Sequence, residues 1–480
     1  MAKKFKLLVI TAVWGDWHLE KYFKLNLPTL LDKRNFQALA NVCEITYLIY
    51  TSKKDEELVK SSSGLIELAK FVKLQIKIIP SIDLTDPIAT HHNIWARANK
   101  LAKKISSFLL LMPPDVAWSS GSFEHLGSLL TLGKKAIFMT YLRVDCESFT
   151  TLIKKRFKTN EISLSVSGQE LVEIGLRTIH PLMAASIRES EYFPIHPEMM
   201  FWAVPKEGLI CRVLAREMFI FDPKEIKLNS QNLLHTKLSK EECHVIDDSD
   251  QLFGVSLTPF EKEYDWYKIP KKADPWIIAD WWLLYDSWIN DFIVSTKIRW
   301  HTKSIVESNW RKKEMASDLF MRRVSTIREI KRIYNLLLNM NYNYSALLLS
   351  IVIHLGVTRK IKLGKSGGIV FVPLDSAYNI NHQEFKACTP ESQNDFLVDL
   401  IGNHFSPSDN YFGQLTLEEQ IANVSSIKIK LANNKYLDIT KSNGMLKANE
   451  HNIISKAISC GNNIIYLISG QIKITSLIIP

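Results

Sequence analysis

The sequence predicts an α/β fold: a doubly wound, mostly parallel sheet, followed by a helical segment and a small C-terminal β-rich domain. Three observations lead there. Over the first 140 residues, short β-rich apolar runs alternate with longer stretches suited to helices. Residues 276–300 are crowded with tryptophan, and residues 297–332 with positive charge. After Gly356 the texture turns to Asn, Ser, Gly and β-branched residues. These shifts divide the 480 residues into 1–275, 276–355 and 356–480, in keeping with about 150 residues per domain.

The first strand is expected at residues 6–13, and further strands at 44–50, 75–80, 108–112 and 136–140. Helical stretches follow the first four, at 19–31, 55–71, 88–105 and 122–132. Continuous apolar strands separated by helices indicate a parallel sheet covered on both faces. Ligands of such sheets bind at the carboxyl ends of the strands, so the loops after each strand are where chemistry is sought. From 145 to 275 the regular alternation loosens. His, Pro and aromatic residues crowd into short segments such as Phe193-Pro194-Ile195-His196-Pro197, which reads as long ordered loops over the sheet. Asp274-Pro275 breaks the chain. Residues 276–300, with Trp276, Trp281, Trp282, Trp288 and Trp300, read as helical, and 297–332 as a long basic helix free of Pro and Gly. In the last domain, residues 430–449 read as strand, turn and strand about Asn443-Gly444, a strong hairpin signal.

Composition narrows the class. Hydrophobic residues are 46% and charged residues 23%, ordinary for a globular chain and unlike a disordered chain, a collagen or a coiled-coil rod. Of the net charge of +10, most lies in 297–332, which holds eleven Lys or Arg against four Asp or Glu. Basic charge beside tryptophan suits an anionic membrane surface, and the alternative is a solvated helix with its apolar side on the body. The six cysteines include no pair within thirty residues, so no C-x-x-C spacing exists and reduced thiols in a cytoplasm are expected. The apolar run at 7–14 is only eight residues and meets Gly15-Asp16 rather than the small-residue cleavage site of a secretory leader, so a buried first strand is expected. The apolar run at 346–357 is too short to cross a bilayer, which takes about 20 residues. The expected location is cytoplasmic, with peripheral contact at the inner membrane face.

Four segments can carry chemistry. The first is Thr11-Ala12-Val13-Trp14-Gly15-Asp16-Trp17-His18, where a strand ending in Gly brings backbone N–H groups close to a ligand. Trp14 or Trp17 can stack on a base, or both can pack on the sheet. The second is the exit of the fourth strand, Met112-Pro113-Pro114-Asp115. Two prolines hold it extended and deliver Asp115 at the carboxyl edge. A carboxylate there can hold a divalent cation between diphosphate oxygens, while Asp115, Ser119 or Ser120 can equally cap the next helix. The third is His91-His92 with Arg97. Adjacent histidines diverge on a helix, whereas Arg97 can pair with a phosphate or simply be solvated. The fourth is Asp247-Asp248-Ser249-Asp250, either a cation or base site or a surface turn. His180, His196 and Glu198 are further acid–base candidates. No P-loop exists, because Arg359 stands where Gly364-Lys365-Ser366 would need a glycine. No dinucleotide fingerprint, serine-hydrolase elbow, zincin or nucleic-acid motif is present, so nucleic acid is not an expected partner.

The segment from Leu7 to His18, Asn26-Leu27-Pro28-Thr29-Leu30-Leu31, the run Pro113 to Phe123 and Asp248-Ser249-Asp250 resemble blocks of a group of uncharacterised bacterial proteins with a GT-A-like glycosyltransferase domain, over roughly residues 5 to 265. The resemblance implies a GT-A-like fold and a nucleotide-sugar donor, with a glycan or protein as acceptor. Its base and ribose would lie over Thr11, Ala12, Trp14 and Asp16. Its diphosphate would lie at Asp115 with Mg²⁺ or Mn²⁺. The metal motif of that fold is Asp-x-Asp, from which Asp115-Val116-Ala117 departs; Arg97 or Arg143 would take over phosphate charge. Asp248, Asp250 or His196 would serve as base. Two other readings stand beside this one. The first is a non-catalytic binding or scaffold protein on a degenerate domain of this type, its C-terminal β domain binding glycan or protein; the hairpin at 430–449 resembles a fascin-like trefoil unit. The second is another nucleotide-using transferase on a Rossmann-like sheet.

Overall fold

The run Phe-Lys-Leu-Leu-Val-Ile-Thr-Ala, Phe5–Ala12, is strand β1, and six successive residues of it are buried. Alternate side chains enter two different cores: Leu8 and Ile10 pack on one face, Leu7 and Val9 on the other. This is the signature of a strand covered on both faces. The computed structural model describes residues 4–80, 82, 86–157, 162–214, 218–228, 234–236, 238–260, 271–285 and 287–339. Further on it describes 368–373, 405–407, 416–422, 424–431, 436–442, 445–453, 455, 457–460 and 463–469.

In chain order the next strands are β2 (Cys43–Thr51), β3 (Lys73–Ile78), β4 (Phe108–Leu111), β5 (Val116–Trp118), β6 (Ala136–Phe138), β7 (Leu142–Asp145), β8 (Met199–Val204), β9 (Gly208–Val213) and β10 (Met218–Phe221). They are followed by β11 (Ile226–Leu228), β12 (Leu234–Thr236), β13 (Cys243–Val245), β14 (Gly254–Thr258) and β15 (Ile298–His301). The central sheet has the order β13-β6-β10-β4-β1-β2-β3. It is parallel except at β10, which runs antiparallel to both β4 and β6. The fold is thus mixed α/β with a parallel-rich central sheet, as the alternation predicts. The five expected strands and the helices after them are present, within a few residues of the expected bounds. The helical stretch at 55–71 divides into Glu56–Lys60 and Ser63–Leu68.

Three expectations are corrected. The region from 145 to 275 is not a set of loops. It carries helices Cys146–Arg156 and Gly168–Arg177 and strands β8, β9 and β14 of two smaller sheets, β5-β14-β7 and β15-β9-β8. The tryptophan-rich stretch is not helical throughout: helices Pro275–Leu283 and Trp288–Ser295 lead into β15, where Trp300 sits 2% exposed. The long basic helix starts only at Glu307 and runs to Asn339.

Two compact units result. One comprises 1–274 and 284–317, the other 275–283 and 318–480. In the second, Gly368–Pro373 pairs parallel with Asn463–Ile468. Phe405–Pro407 and Ile458–Cys460 pair antiparallel on its two edges, and an antiparallel meander of Ser426–Lys430, Tyr436–Ser442, Met445–Ala448 and His451–Asn452 completes the described strands. Ser442 faces Met445, on either side of Asn443-Gly444, which lies outside the described residues. Cys43, Cys146 and Cys243 are buried free thiols. No described helix is long and apolar enough to cross a membrane.

Candidate active site

The carboxyl edge of β1 and β4 opens onto a cavity of about 480 Å³ lined by Ala12, Trp14, His18, His91, His92, Trp95, Asp115 and Arg143, among others. Its floor is the Pro113–Pro114 exit of β4, which is pinned from both sides. Met112 N–H extends the ladder to Ile10 O at 2.8 Å. Asn26 Nδ2 donates to Pro113 O at 3.1 Å and to Val116 O at 2.7 Å. Leu257 N–H donates to Asp115 O at 2.9 Å. The backbone of Asp115 is therefore fixed while its carboxylate faces the cavity. Burial pushes that carboxyl up to about 6, against the pull of its own backbone and of Arg143. The Trp14 ring lies over His91, centroids 4.7 Å apart and 33° from parallel. Burial, with His18 and His92 nearby, pushes the His91 imidazole down to about 4, so it is neutral at pH 7. The cavity lining thus combines the stacked Trp14 and neutral His91 with one carboxylate and one guanidinium.

Of the residues singled out for a donor, Ala12, Trp14 and Asp115 line this cavity. Thr11, Asp16 and Arg97 do not. Thr11 is fully buried, its hydroxyl 2.7 Å from Tyr47 Oη and donating to Met112 O at 3.2 Å. Asp16 is exposed, 3.9 Å from Lys54. Arg97 is exposed on helix Pro87–Ile105; Arg143, from β7, occupies the cavity wall instead. Gly15, at φ 78°, gives its N–H to Asp55 Oδ2 at 3.0 Å and not to an open site.

His196 lines a smaller cavity of about 170 Å³ with Glu198, Ser186 and the same Arg143. Arg143 Nη2 is 3.6 Å from Glu198 Oε2, so this guanidinium belongs to both cavities.

Asp248 and Asp250 stand elsewhere. They line a third cavity, of about 590 Å³, with Arg34, Glu124, His125, Gln169 and His301. β5 lies between, with Asp115 at one end and the Ser119–Gly121 turn at the other, so the acidic turn does not share a cavity with Asp115. Its geometry is tightly specified. Arg299 N–H donates to Asp247 O at 2.8 Å, and Ser249 N–H to Arg299 O at 2.9 Å. These bonds clip the turn onto β15. His301 Nε2 is 2.9 Å from Asp248 Oδ1 and 3.7 Å from Asp250 Oδ2. Burial alone would push the Asp248 carboxyl up, but His301 and the Asp250 amide hold it below the ordinary range. Burial lowers His301, and the two carboxylates with the Lys303 carbonyl more than offset this.

The metal expected at Asp115 does not fit the residues there. Asp115 brings one carboxylate, and the cation facing it is already a guanidinium. Among the described residues, the group able to hold a metal ion is Asp248, Asp250 and His301, one ligand atom of each lying within 4.8 Å of the others. His301 escapes sequence reading because it lies fifty residues from the turn, and only the pairing of β15 brings it there.

No family model matches the chain, and no curated protein matches it. Among solved structures it is similar to mouse xyloside xylosyltransferase 1 in its apo form, at 10% identity and a TM-score of 0.22, over 31% of this chain and 58% of that one. It is also similar to UDP-glucose pyrophosphorylase complexed with UDP-glucose, at 12% identity and a TM-score of 0.18, over 32% and 61%. The chain spans about three fifths of the length of each. One of these is a sugar transferase by name, and the other binds a nucleotide sugar.

Proposed function

We propose that this protein transfers a sugar from a nucleotide-sugar donor to a glycan or protein acceptor. The observation that carries the reading is the Asp115 cavity, which combines stackable aromatic rings with one guanidinium and one carboxylate at the strand ends where α/β sheets bind nucleotides. In this reading Trp14 and His91 stack on the base. Arg143 offsets the charge that develops on the leaving diphosphate, a role its planar fork suits. Asp115, ionised above about pH 6, accepts hydrogen bonds from sugar hydroxyls and orients the reacting carbon. The acceptor enters by the smaller cavity, where His196 or Glu198 takes the proton of its hydroxyl. The bond from sugar carbon to diphosphate oxygen breaks as the bond to the acceptor oxygen forms. No step runs through a metal at Asp115. Asp248 and Asp250 are not assigned as base, because they face a different cavity.

Calorimetric titration of the whole chain with UDP-, GDP- and CMP-sugars tests this. One donor is expected to bind. Trp14→Ala and Arg143→Ala are each expected to weaken it about tenfold or more, in line with losing one stacked or charge-assisted contact of roughly 1.5 kcal/mol. Failure of every common donor to bind, with Asp115→Ala indistinguishable from wild type, overturns the proposal. Binding without release of free nucleotide in the presence of any acceptor favours the scaffold reading, which the single carboxylate in the cavity supports.

A further inference from the structure

We infer that the exposed side of helix Glu307–Asn339 between Arg311 and Arg323 is a docking face for an anionic lipid bilayer, Met315 and Leu319 entering the headgroup boundary while the cations around them meet lipid phosphates. The inference does not rest on the donor-cavity reading.

The helical period is the first support. At about 100° per residue, Arg311, Lys312, Met315, Leu319, Arg322 and Arg323 share roughly 120° of the helix circumference, and all six are exposed. Met315 and Leu319 hold the centre of that arc. Arg311 and Arg322 lie along one flank, Lys312 and Arg323 along the other. On the opposite side, Trp310, Ser317, Met321 and Val324 are buried.

The apolar pair is the second. Met315 is 65% exposed and Leu319 61%. Side chains four residues apart are neighbours on a helix, so these two make one apolar patch in the middle of a charged face. Single exposed apolar residues need no explanation. A pair bordered by cations on both flanks is the pattern of a helix lying in a membrane interface, its apolar side toward the acyl chains. The aliphatic stems of Lys and Arg then run along the apolar surface and carry their charges outward to phosphate.

Charge is the third. The two acids of 311–323 fall outside the arc. Glu314 is 8% exposed and bound to Arg299 at 2.7 Å, and Asp318 lies beyond the Arg311 flank. Arg311 is 3.7 Å from Glu307 in an exposed pair. Among the described residues, Lys312 and Arg323 form no ion pair. Each Lys or Arg close to an anionic surface strengthens attachment about fivefold, and four together on the order of a few hundredfold. That is reversible docking, far short of a permanent anchor. A nucleic-acid backbone would use the same cations, but it has no use for an apolar pair at their centre.

Co-sedimentation of the whole chain with lipid vesicles decides it. Binding is expected to vesicles of three parts phosphatidylcholine to one of phosphatidylglycerol, not to phosphatidylcholine alone, and it should fall as salt is raised. Met315→Gln with Leu319→Gln is expected to weaken binding about tenfold, and Arg322→Gln with Arg323→Gln about tenfold or more. Neither pair should move the melting temperature, because all four side chains are exposed. Lys103→Gln with Lys104→Gln removes the same charge from helix Pro87–Ile105. It should change binding less than about twofold, since distant charges are screened. No binding to the anionic vesicles, equal binding to neutral ones, or an equal loss from the Lys103 and Lys104 pair overturns the inference. So does a Met315 and Leu319 variant that binds vesicles as wild type does. The face is then a general polyanion patch, for which duplex DNA competes.

Discussion

The Asp115 carboxyl is held near pH 6 by burial, from an ordinary 3.8, and this has a sign. A carboxyl whose folded value is raised binds its proton more tightly in the native state than in the unfolded chain. Stability then falls as pH rises from about 4 to about 6, and levels off above. At neutral pH the ionised side chain is a cost on the order of 3 kcal/mol. Asp115→Asn removes the charge without changing the shape. The variant is expected to melt higher than wild type at pH 7.5 and at the same temperature near pH 4. Equal melting temperatures across that window would mean the carboxylate is as well solvated as in the unfolded chain. The same residue then costs stability and, in the proposed reaction, supplies a ligand contact, the trade expected where a binding site keeps a strained charge.

At the scale of elements, helix Gly168–Arg177 buttresses the acidic turn. Its capping box, Ser167 with Glu170, fixes the first turn, and Gly168 then lies so close that an added Cβ would stand 2.3 Å from Ser249 O. Gly168→Ala is expected to destabilise the fold by about 1–3 kcal/mol through overpacking, measured by urea unfolding. An Ala variant as stable as wild type would show that the helix does not press on the turn. This helix falls in the stretch expected to be loops, whereas other elements are legible in the sequence. β1, β2 and helix Pro87–Ile105 were readable because each is long, periodic and bounded: Asp86 caps the helix through the Ala89 amide, with Pro87 at its first turn. β5, β7 and β14 span three to five residues. Short strands among aromatic and proline-rich segments carry no local period, and their pairing is decided by partners more than a hundred residues away. The candidate sites divide the same way. Trp14 and Asp115 follow from the rule that ligands meet strand ends, whereas His301 reaches Asp248 only through β15.

For the whole molecule, the charge excess is less available than its sequence suggests. In the first unit, Arg299 pairs with Glu314 at 2.7 Å and Glu307 at 3.1 Å. In the second, Arg328 lies 3.9 Å from the Trp282 ring centroid and pairs with Glu329, which also pairs with Arg332. Lys331 pairs with Asp280 and lies over Trp276 at 5.0 Å. Trp282 and Trp276 thus serve as faces for Arg328 and Lys331. Each unit has its own large buried anchor. Trp300 packs on Phe201 and Phe253, centroids 5.3 and 5.5 Å apart. Tyr466 stacks on Phe371 at 6.2 Å, and its hydroxyl accepts from Leu417 N–H at 2.8 Å. A chain of two such units is expected to melt in two calorimetric transitions, since multi-domain proteins depart from all-or-none unfolding. Trp300→Ala, with a cavity cost of about 3–5 kcal/mol, should lower one transition and leave the other in place. Tyr466→Ala should do the reverse. If either variant moves both transitions together, the two units unfold as one cooperative body.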